Sequence, residues 1–124
     1  MLKITKTVES VGEDYFGVTL RIGRSNAPEF LSKLRRLTKP YKRQIDNGSL
    51  ADDKSREMFC EAMAGTVLLG WSGLEVDGKP VPYTEATAKE LLINDPDCRE
   101  FVSQIAGSLD RFLEDEQQAL EKKS

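Results

Sequence analysis

The sequence contains no histidine, the side chain that most often acts as a general base near neutral pH and as a metal ligand. Its two cysteines, Cys60 and Cys98, form neither a zinc-binding set nor a disulfide framework without further partners. A glycine-rich phosphate loop, a Gly-x-Ser-x-Gly elbow and a Cys-x-x-Cys pair are also absent. We therefore expect no enzymatic activity, no metal and no cofactor, and we expect both cysteines to be reduced and buried on helix faces.

Long hydrophobic runs are lacking as well. The longest uncharged apolar stretch, residues 62–74, is interrupted by three glycines, one threonine and one serine. The first ten residues, MLKITKTVES, do not combine a basic stretch with an apolar run in the manner of an export signal. These features predict a cytoplasmic protein that has no membrane association.

The chain has 124 residues, of which 39% are apolar and 31% are charged, and this composition predicts one folded domain over residues 1–124. The net charge of −3 is unevenly divided, because residues 1–43 carry +6 and residues 44–124 carry −9. Such asymmetry suits head-to-tail contact between identical subunits, and it also suits nucleic-acid binding. The charge pattern is therefore compatible with both hypotheses, subunit contact and nucleic-acid binding.

A short β-hairpin is predicted within residues 1–24. Apolar residues alternate with polar ones over residues 2–8 and again over residues 16–22, which is the period of a half-buried strand. Gly12-Glu13-Asp14 supplies turn residues between the two stretches. Because two strands alone are marginally stable, we expect a helix or a neighbouring subunit to cover the apolar face.

Residues 25–113 are predicted to form a body of about four helices. Helix-start chemistry occurs at four places, namely Ser25 to Glu29, Asp52 or Asp53, Thr84, and Asp95-Pro96. The fold class predicted from these elements is mainly α with a short N-terminal hairpin, and α+β is the alternative. The aspartates near the helix starts interact favourably with the positive end of the helix dipole. We therefore do not expect them to be catalytic pairs.

The ends of these helices are also predicted from local chemistry. The first helix should end near Lys39, because Pro40 follows it. The second, which carries the most apolar stripe, should continue to about Gly70 and form the centre of the core. The last should reach at least Asp115, and residues 114–124 should form a polar helical extension or tail.

The segment from Lys33 to Arg43 holds six cations in eleven residues and one aromatic residue, Tyr41. A solvated helix face, a protein interface and a nucleic-acid-binding face are all compatible with it. No helix-turn-helix, zinc-finger or β-platform signature accompanies the run, so nucleic acid is the least favoured partner. The candidate subunit-contact residues are Lys33, Arg35, Arg36, Lys39 and Arg43.

A combination of short motifs lies between Leu68 and Leu109. The motifs are Gly70-Trp71, Gly73-Leu74, Asp77-Gly78, Pro80-Val81-Pro82-Tyr83-Thr84, Leu91-Leu92 and an amphipathic helix from Asp95 to Leu113. In this order they resemble the tail assembly chaperones of long-tailed bacteriophages with non-contractile tails. The close match covers about a third of the chain.

The resemblance implies a chaperone of virion morphogenesis that resides in the host cytoplasm and is absent from the mature virion. It implies binding to the tape measure protein, self-association into a spiral or ring-like homo-oligomer, and a longer product of translational frameshifting that recruits tail tube protein. The present chain would be the shorter product. The runner-up hypothesis is a small nucleic-acid-binding or regulatory module that uses the basic 33–43 face.

The resemblance also implies a role for the loop that follows the second helix. Trp71, Leu74 and Tyr83 are the residues of this loop that a partner could contact. Because Trp71 follows a glycine-rich exit from an apolar segment, we favour its role as a loop anchor over direct contact with a partner.

Overall fold

The computed structural model describes residues 6–7, 9–108 and 112–114. Its largest sheet contains three antiparallel strands, β2 (Ser10–Tyr15), β3 (Val18–Gly23) and β4 (Leu68–Ser72), in the order β2-β3-β4. Alternation along β3 follows the prediction, because Leu20 and Ile22 are buried while Thr19 and Arg21 are exposed. The structure combines this sheet with helices and is therefore a mixed α+β fold that retains the predicted hairpin and helices.

The turn of the hairpin lies at Phe16-Gly17, where both residues have positive φ angles of 50° and 89°. The predicted turn at Gly12-Glu13-Asp14 is wrong, since these three residues lie within β2 and pair with residues of β3. A two-residue hairpin turn of type I′ needs positive φ at both central positions, which Gly17 adopts readily and Phe16 does not. The predicted strand over residues 2–8 falls mostly outside the described residues, although Lys6–Thr7 forms β1.

The first two helical segments follow the sheet. Helix α1 spans Pro28–Thr38 with its proline at the first turn, as predicted. A 3₁₀ turn at Lys39–Tyr41 contains Pro40 and leads into the short helix α2, Lys42–Asp46. The proline thus ends α1 where it was expected to, because it cannot donate the backbone hydrogen bond that would continue the helix.

Helix α3 spans Asp52–Met63, so the prediction that it continues to Gly70 is wrong. The chain leaves the helix at Ala64 and turns at Gly65, whose φ is 81°. The following apolar run forms β4 on the edge of β3, because a short apolar run fits a buried strand as well as a helix and strand pairing decides between them. The predicted side-chain cap is also wrong, since Ala51 is the N-cap and both aspartates lie in the first turn.

The predicted Asp-Gly turn is confirmed between two short strands, β5 (Glu75–Val76) and β6 (Lys79–Pro80). Helix α4 spans Glu85–Asn94 and begins at Thr84, whose hydroxyl accepts a hydrogen bond from the backbone N–H of Thr87. Its cap is therefore the predicted one.

Helix α5 spans Pro96–Ala106, and the Asp95 carboxylate accepts a 3.0 Å hydrogen bond from the Cys98 backbone N–H, which confirms the predicted start. The predicted end at or beyond Asp115 is wrong, because the helix ends at Ala106 with Gly107 as its C-cap. Glycine destabilises a helix when it lies in the interior, so Gly107 is a suitable place for the helix to end. Further on, Leu113–Glu114 forms β7, which pairs with β1, and the predicted tail beyond Glu114 lies outside the described residues.

The core lies between the sheet and the helices. It includes Leu20 and Ile22 of β3, Phe30 of α1 and Val102 of α5, all buried. Cys60 and Cys98 are also buried and form no disulfide, as expected. Among the helices of the described residues, none combines the length and the apolar character that crossing a bilayer requires.

Candidate protein-binding groove

A groove of about 500 Å³ opens between α1, α2 and α3. Five large apolar side chains line it together with polar ones, which is the usual make-up of a site that binds an apolar side chain or a helix face. We call it the α1–α3 groove, and it is lined by Leu34, Thr38, Gln44, Ile45, Gly48, Leu50, Asp52, Ser55, Met58 and Phe59.

Two contacts hold the walls of the groove in place. Phe30 of α1 packs edge-on against Phe59 of α3, with ring centroids 5.8 Å apart and planes at 89°. Between α2 and α3 the chain reverses at Gly48, whose φ is 73°, and the Asn47 side chain accepts a 3.0 Å hydrogen bond from the backbone N–H of Ser49. These local interactions fix the position of α2 beside the two longer helices.

Apolar surface remains open to solvent along this groove. Ile45 is 43% exposed and Phe59 is 39% exposed, although both side chains are large and apolar. Leu31 of α1 is also large, apolar and 44% exposed, but it does not line the groove. Single exposed apolar residues are ordinary on protein surfaces, but two of them in one concave site mark a surface that can gain free energy by being covered.

Basic residues lie on α1 and on the segment that follows it, two parts of the chain that also contribute residues to the groove. Within the described residues none of them forms an ion pair, and all are exposed, namely Arg35, Arg36, Lys39, Lys42 and Arg43. Asp46 and the two aspartates at the start of α3 partly offset this charge. The margin formed by α1 and α2 therefore favours a partner with acidic groups next to its apolar residues.

Lys33 differs from the other predicted contact residues. Its ammonium group donates a 2.6 Å hydrogen bond to the carbonyl oxygen of Ala64 and lies 3.6 Å from a carboxylate oxygen of Glu85. Its side chain is only 15% exposed. Lys33 thus ties α1 to the end of α3 and to the start of α4, whereas the other four predicted cations face solvent.

The three loop residues lie away from the groove. The indole N–H of Trp71 donates a 2.8 Å hydrogen bond to the carbonyl oxygen of Val81, and its ring packs edge-on against Tyr83 at 4.9 Å. The Tyr83 hydroxyl accepts a 2.9 Å hydrogen bond from the Gly65 N–H and donates to the carbonyl of Leu68. Trp71 is therefore held by contacts within its own chain. Burial raises the pKa of the Tyr83 hydroxyl.

Leu74 completes this loop through its backbone. Its carbonyl oxygen accepts a 2.9 Å hydrogen bond from the Val81 N–H, and its side chain is half-buried. Trp71, Leu74 and Tyr83 therefore hold the β5–β6 segment against β4. Contact of these three residues with a partner stays a prediction.

The sequence patterns did not indicate the residues that form the groove walls. Met58 and Phe59 lie on the apolar stripe of the second predicted helix, a pattern that predicts burial in the core, and Ile45 stands alone among polar residues. The one available signal was Ile45 itself, an apolar side chain in the otherwise polar segment from Lys42 to Asp46. It becomes meaningful only when α2 is placed beside α3.

Among the described residues, no group of three or more histidine, cysteine, aspartate or glutamate side chains is arranged to hold a metal ion.

Comparison with known proteins gives one match. A family model described as YdaY prophage protein matches residues 25–123, a region that includes the whole α1–α3 groove and the anchored loop. Searches of curated proteins and of solved structures found no match.

Proposed function

This chain belongs to the YdaY prophage protein family and is phage-derived, and on that premise we propose that it is a tail assembly chaperone. It binds the tape measure protein in the host cytoplasm and keeps it soluble until tail tube protein polymerises around it. A longer, frameshifted form recruits the tail tube protein, and neither form remains in the mature virion. The chain acts by binding and has no catalytic role.

The observation that carries this proposal is the α1–α3 groove with its exposed apolar walls. A tape measure protein is expected to be a long, largely helical chain whose apolar surface has no partner before assembly, and such surface aggregates unless it is covered. An amphipathic helix presents apolar residues at intervals of three and four, which a groove between helices accepts. The exposed Ile45 and Phe59 offer the matching apolar surface.

The basic margin supports the second part of the proposal, a spiral or ring-like homo-oligomer. Head-to-tail contact would join the +6 segment of one subunit to the −9 segment of the next. Reversing Arg35, Arg36, Lys39 and Arg43 to glutamate should reduce the oligomer mass at low salt, because attraction between the segments becomes repulsion. Unchanged mass in light scattering would rule out this charge contact.

Co-expression with the tape measure protein of the same phage tests the chaperone proposal. We expect the tape measure protein to be insoluble alone and to elute with this chain as a soluble complex in size-exclusion chromatography. Light scattering on that complex gives its stoichiometry. A tape measure protein that stays insoluble while this chain elutes alone would contradict the proposal.

A second candidate function is a small nucleic-acid-binding or regulatory module, and the five exposed cations beside the groove favour it. Phosphate contacts by these side chains would give an affinity that falls steeply with salt. Binding to unrelated duplex DNA at micromolar protein, lost between about 50 and 200 mM salt, is the expected result for that function. Absence of binding at the lower salt concentration excludes it.

A further inference from the structure

Phe16 is the most exposed large apolar side chain among the described residues, at 90%. It occupies the tip of the β2–β3 hairpin, where the backbone reverses between Tyr15 and Val18. A phenylalanine in this position loses the free energy that burial of its ring would supply. Among the described residues, the Phe16 ring packs against one aromatic ring, that of Tyr15, and the rest of its surface is in water.

The backbone at Phe16 is also strained. Its φ of 50° lies in the left-handed region, where bulky residues are rare and where asparagine or glycine is the usual choice in a two-residue hairpin turn. The sequence therefore places an aromatic ring where both solvation and backbone conformation disfavour it. Features of this kind are common where a side chain is presented to a partner.

An aromatic contact orients the Phe16 ring, which is otherwise in solvent. Tyr15 packs edge-on against it, with centroids 4.8 Å apart, and Tyr15 is itself backed by Phe101 of α5 at 5.0 Å. A side chain that is already positioned loses little conformational entropy when it binds. The tip therefore has the properties of an anchor residue for a protein contact.

The tip and the α1–α3 groove complement each other. The groove volume of about 500 Å³ is ample for one phenylalanine ring, and its lining includes five large apolar side chains. Asp14 is exposed next to the tip, and exposed cations such as Arg35 and Lys42 occur on α1 and α2, which supply groove residues Leu34 and Ile45. In one chain Phe16 lies in solvent and is not among the residues that line the groove, so a contact between tip and groove joins two copies.

We propose that Phe16 of one copy inserts into the α1–α3 groove of a second copy and covers that groove until a client helix displaces it. The inference rests on the proposed function in one respect, namely that the client binds in the same groove. The contact is head-to-tail, so each copy offers one tip and one groove, and copies add to one another without a closed two-fold dimer. Covering the groove in this way protects the exposed Ile45 and Phe59 before a client is available.

Light scattering on the purified full-length chain over a range of concentrations tests the contact at Phe16, in high salt that screens the charge contact between the +6 and −9 segments. Phe16→Asn removes the ring and replaces it with a residue that suits the positive φ, so the hairpin should keep its fold. We expect the wild-type mass to rise with concentration, and the apparent dissociation constant to rise at least about tenfold in this variant because an aromatic anchor is lost. Ile45→Glu should weaken association similarly by placing a charge in the groove wall.

Mixing the two variants gives the sharpest result. Phe16→Asn retains a groove and Ile45→Glu retains a tip, so an equimolar mixture should form one intact contact and a mass of two chains. A monomeric wild type, a Phe16→Asn variant that associates normally, or a mixture that stays monomeric would each overturn the proposal. The Phe16→Asn chain should still keep the tape measure protein soluble, so failure of that assay would count against the client function and not against the contact.

Discussion

Gly65 shows how a single residue determines where helix α3 gives way to strand β4. Its φ is 81°, and a Cβ atom there would lie 2.5 Å from a carboxylate oxygen of Glu85. Its N–H donates to the hydroxyl of Tyr83, which also bonds the carbonyl of Leu68. The residue thus combines backbone strain for any side chain with close approach to its neighbours.

Substitution of Gly65 by alanine should lower the free energy of unfolding by about 1 to 3 kcal/mol, because it adds positive-φ strain and pushes the exposed Glu85 side chain away from its contact with Lys33. Gly48→Ala is the matched control, since Gly48 has a φ of 73° and nothing within 4 Å of its added Cβ. Urea denaturation measures both variants. Equal destabilisation would show that crowding at Gly65 has no cost beyond the backbone strain.

The buried thiol of Cys98 should make the free energy of unfolding depend on pH. Burial, together with the nearby Asp95, raises the pKa of its thiol from 9.0 to about 11. The stabilising effect of the neutral buried thiol is therefore complete below pH 9, and it is lost as the pH rises from 9 to about 11. At the upper end of this window the loss reaches about 2 to 3 kcal/mol for a shift of this size.

The variant Cys98→Ala lacks this titrating group and isolates its effect. At pH 7 it should be less stable than the wild type because it leaves a small cavity. That difference should shrink as the pH rises from 8 to 11, and denaturant midpoints at several pH values measure it. A difference that stays constant over this range would mean that the thiol of the native state titrates normally.

The starts of helices α1, α4 and α5 were predictable, because residues close by in sequence determine them. Pro28 and Pro96 mark the starts of α1 and α5, while Thr84 and Asp95 cap α4 and α5. Each signal acts within one turn of helix, so no knowledge of the rest of the chain is needed.

Elements that depend on distant pairing were not predictable in the same way. The strand β4 forms because Leu68–Ser72 pairs with β3, nearly fifty residues earlier in the chain. Its apolar run is equally compatible with the end of a helix. The ladder between Lys6–Thr7 and Leu113–Glu114 joins the two ends of the described chain and has no local signature at all.

The cap of α5 gives a prediction at the scale of one element. Asp95→Ala should lower the free energy of unfolding by about 1 kcal/mol, because the Cys98 N–H then loses its hydrogen-bond acceptor. Asp97→Ala is the control, since Asp97 lies in the first turn of the same helix without serving as its cap. Thermal unfolding that ranks the two variants equally would contradict the assignment of the cap.

For the molecule as a whole, the candidate site follows from packing and not from any one segment. The exposed cations from Arg35 to Arg43 were predictable, because a basic run on an amphipathic helix faces solvent. The groove was not, since it is formed jointly by residues of α1, α2 and α3, which are separate in sequence. Lys33 illustrates the same limit, because its contact with Ala64 joins residues that are far apart in sequence.

The central claim is that the α1–α3 groove holds a helical client of the phage tail, and one solubility measurement tests it directly. The tape measure protein is co-expressed with the wild-type chain, with Ile45→Glu or with Val76→Glu, which places the same charge at an exposed apolar position on β5 outside the groove. We predict a soluble tape measure protein with the wild type and with Val76→Glu, and its loss from the soluble fraction with Ile45→Glu. Equal solubility with both variants would contradict the claim.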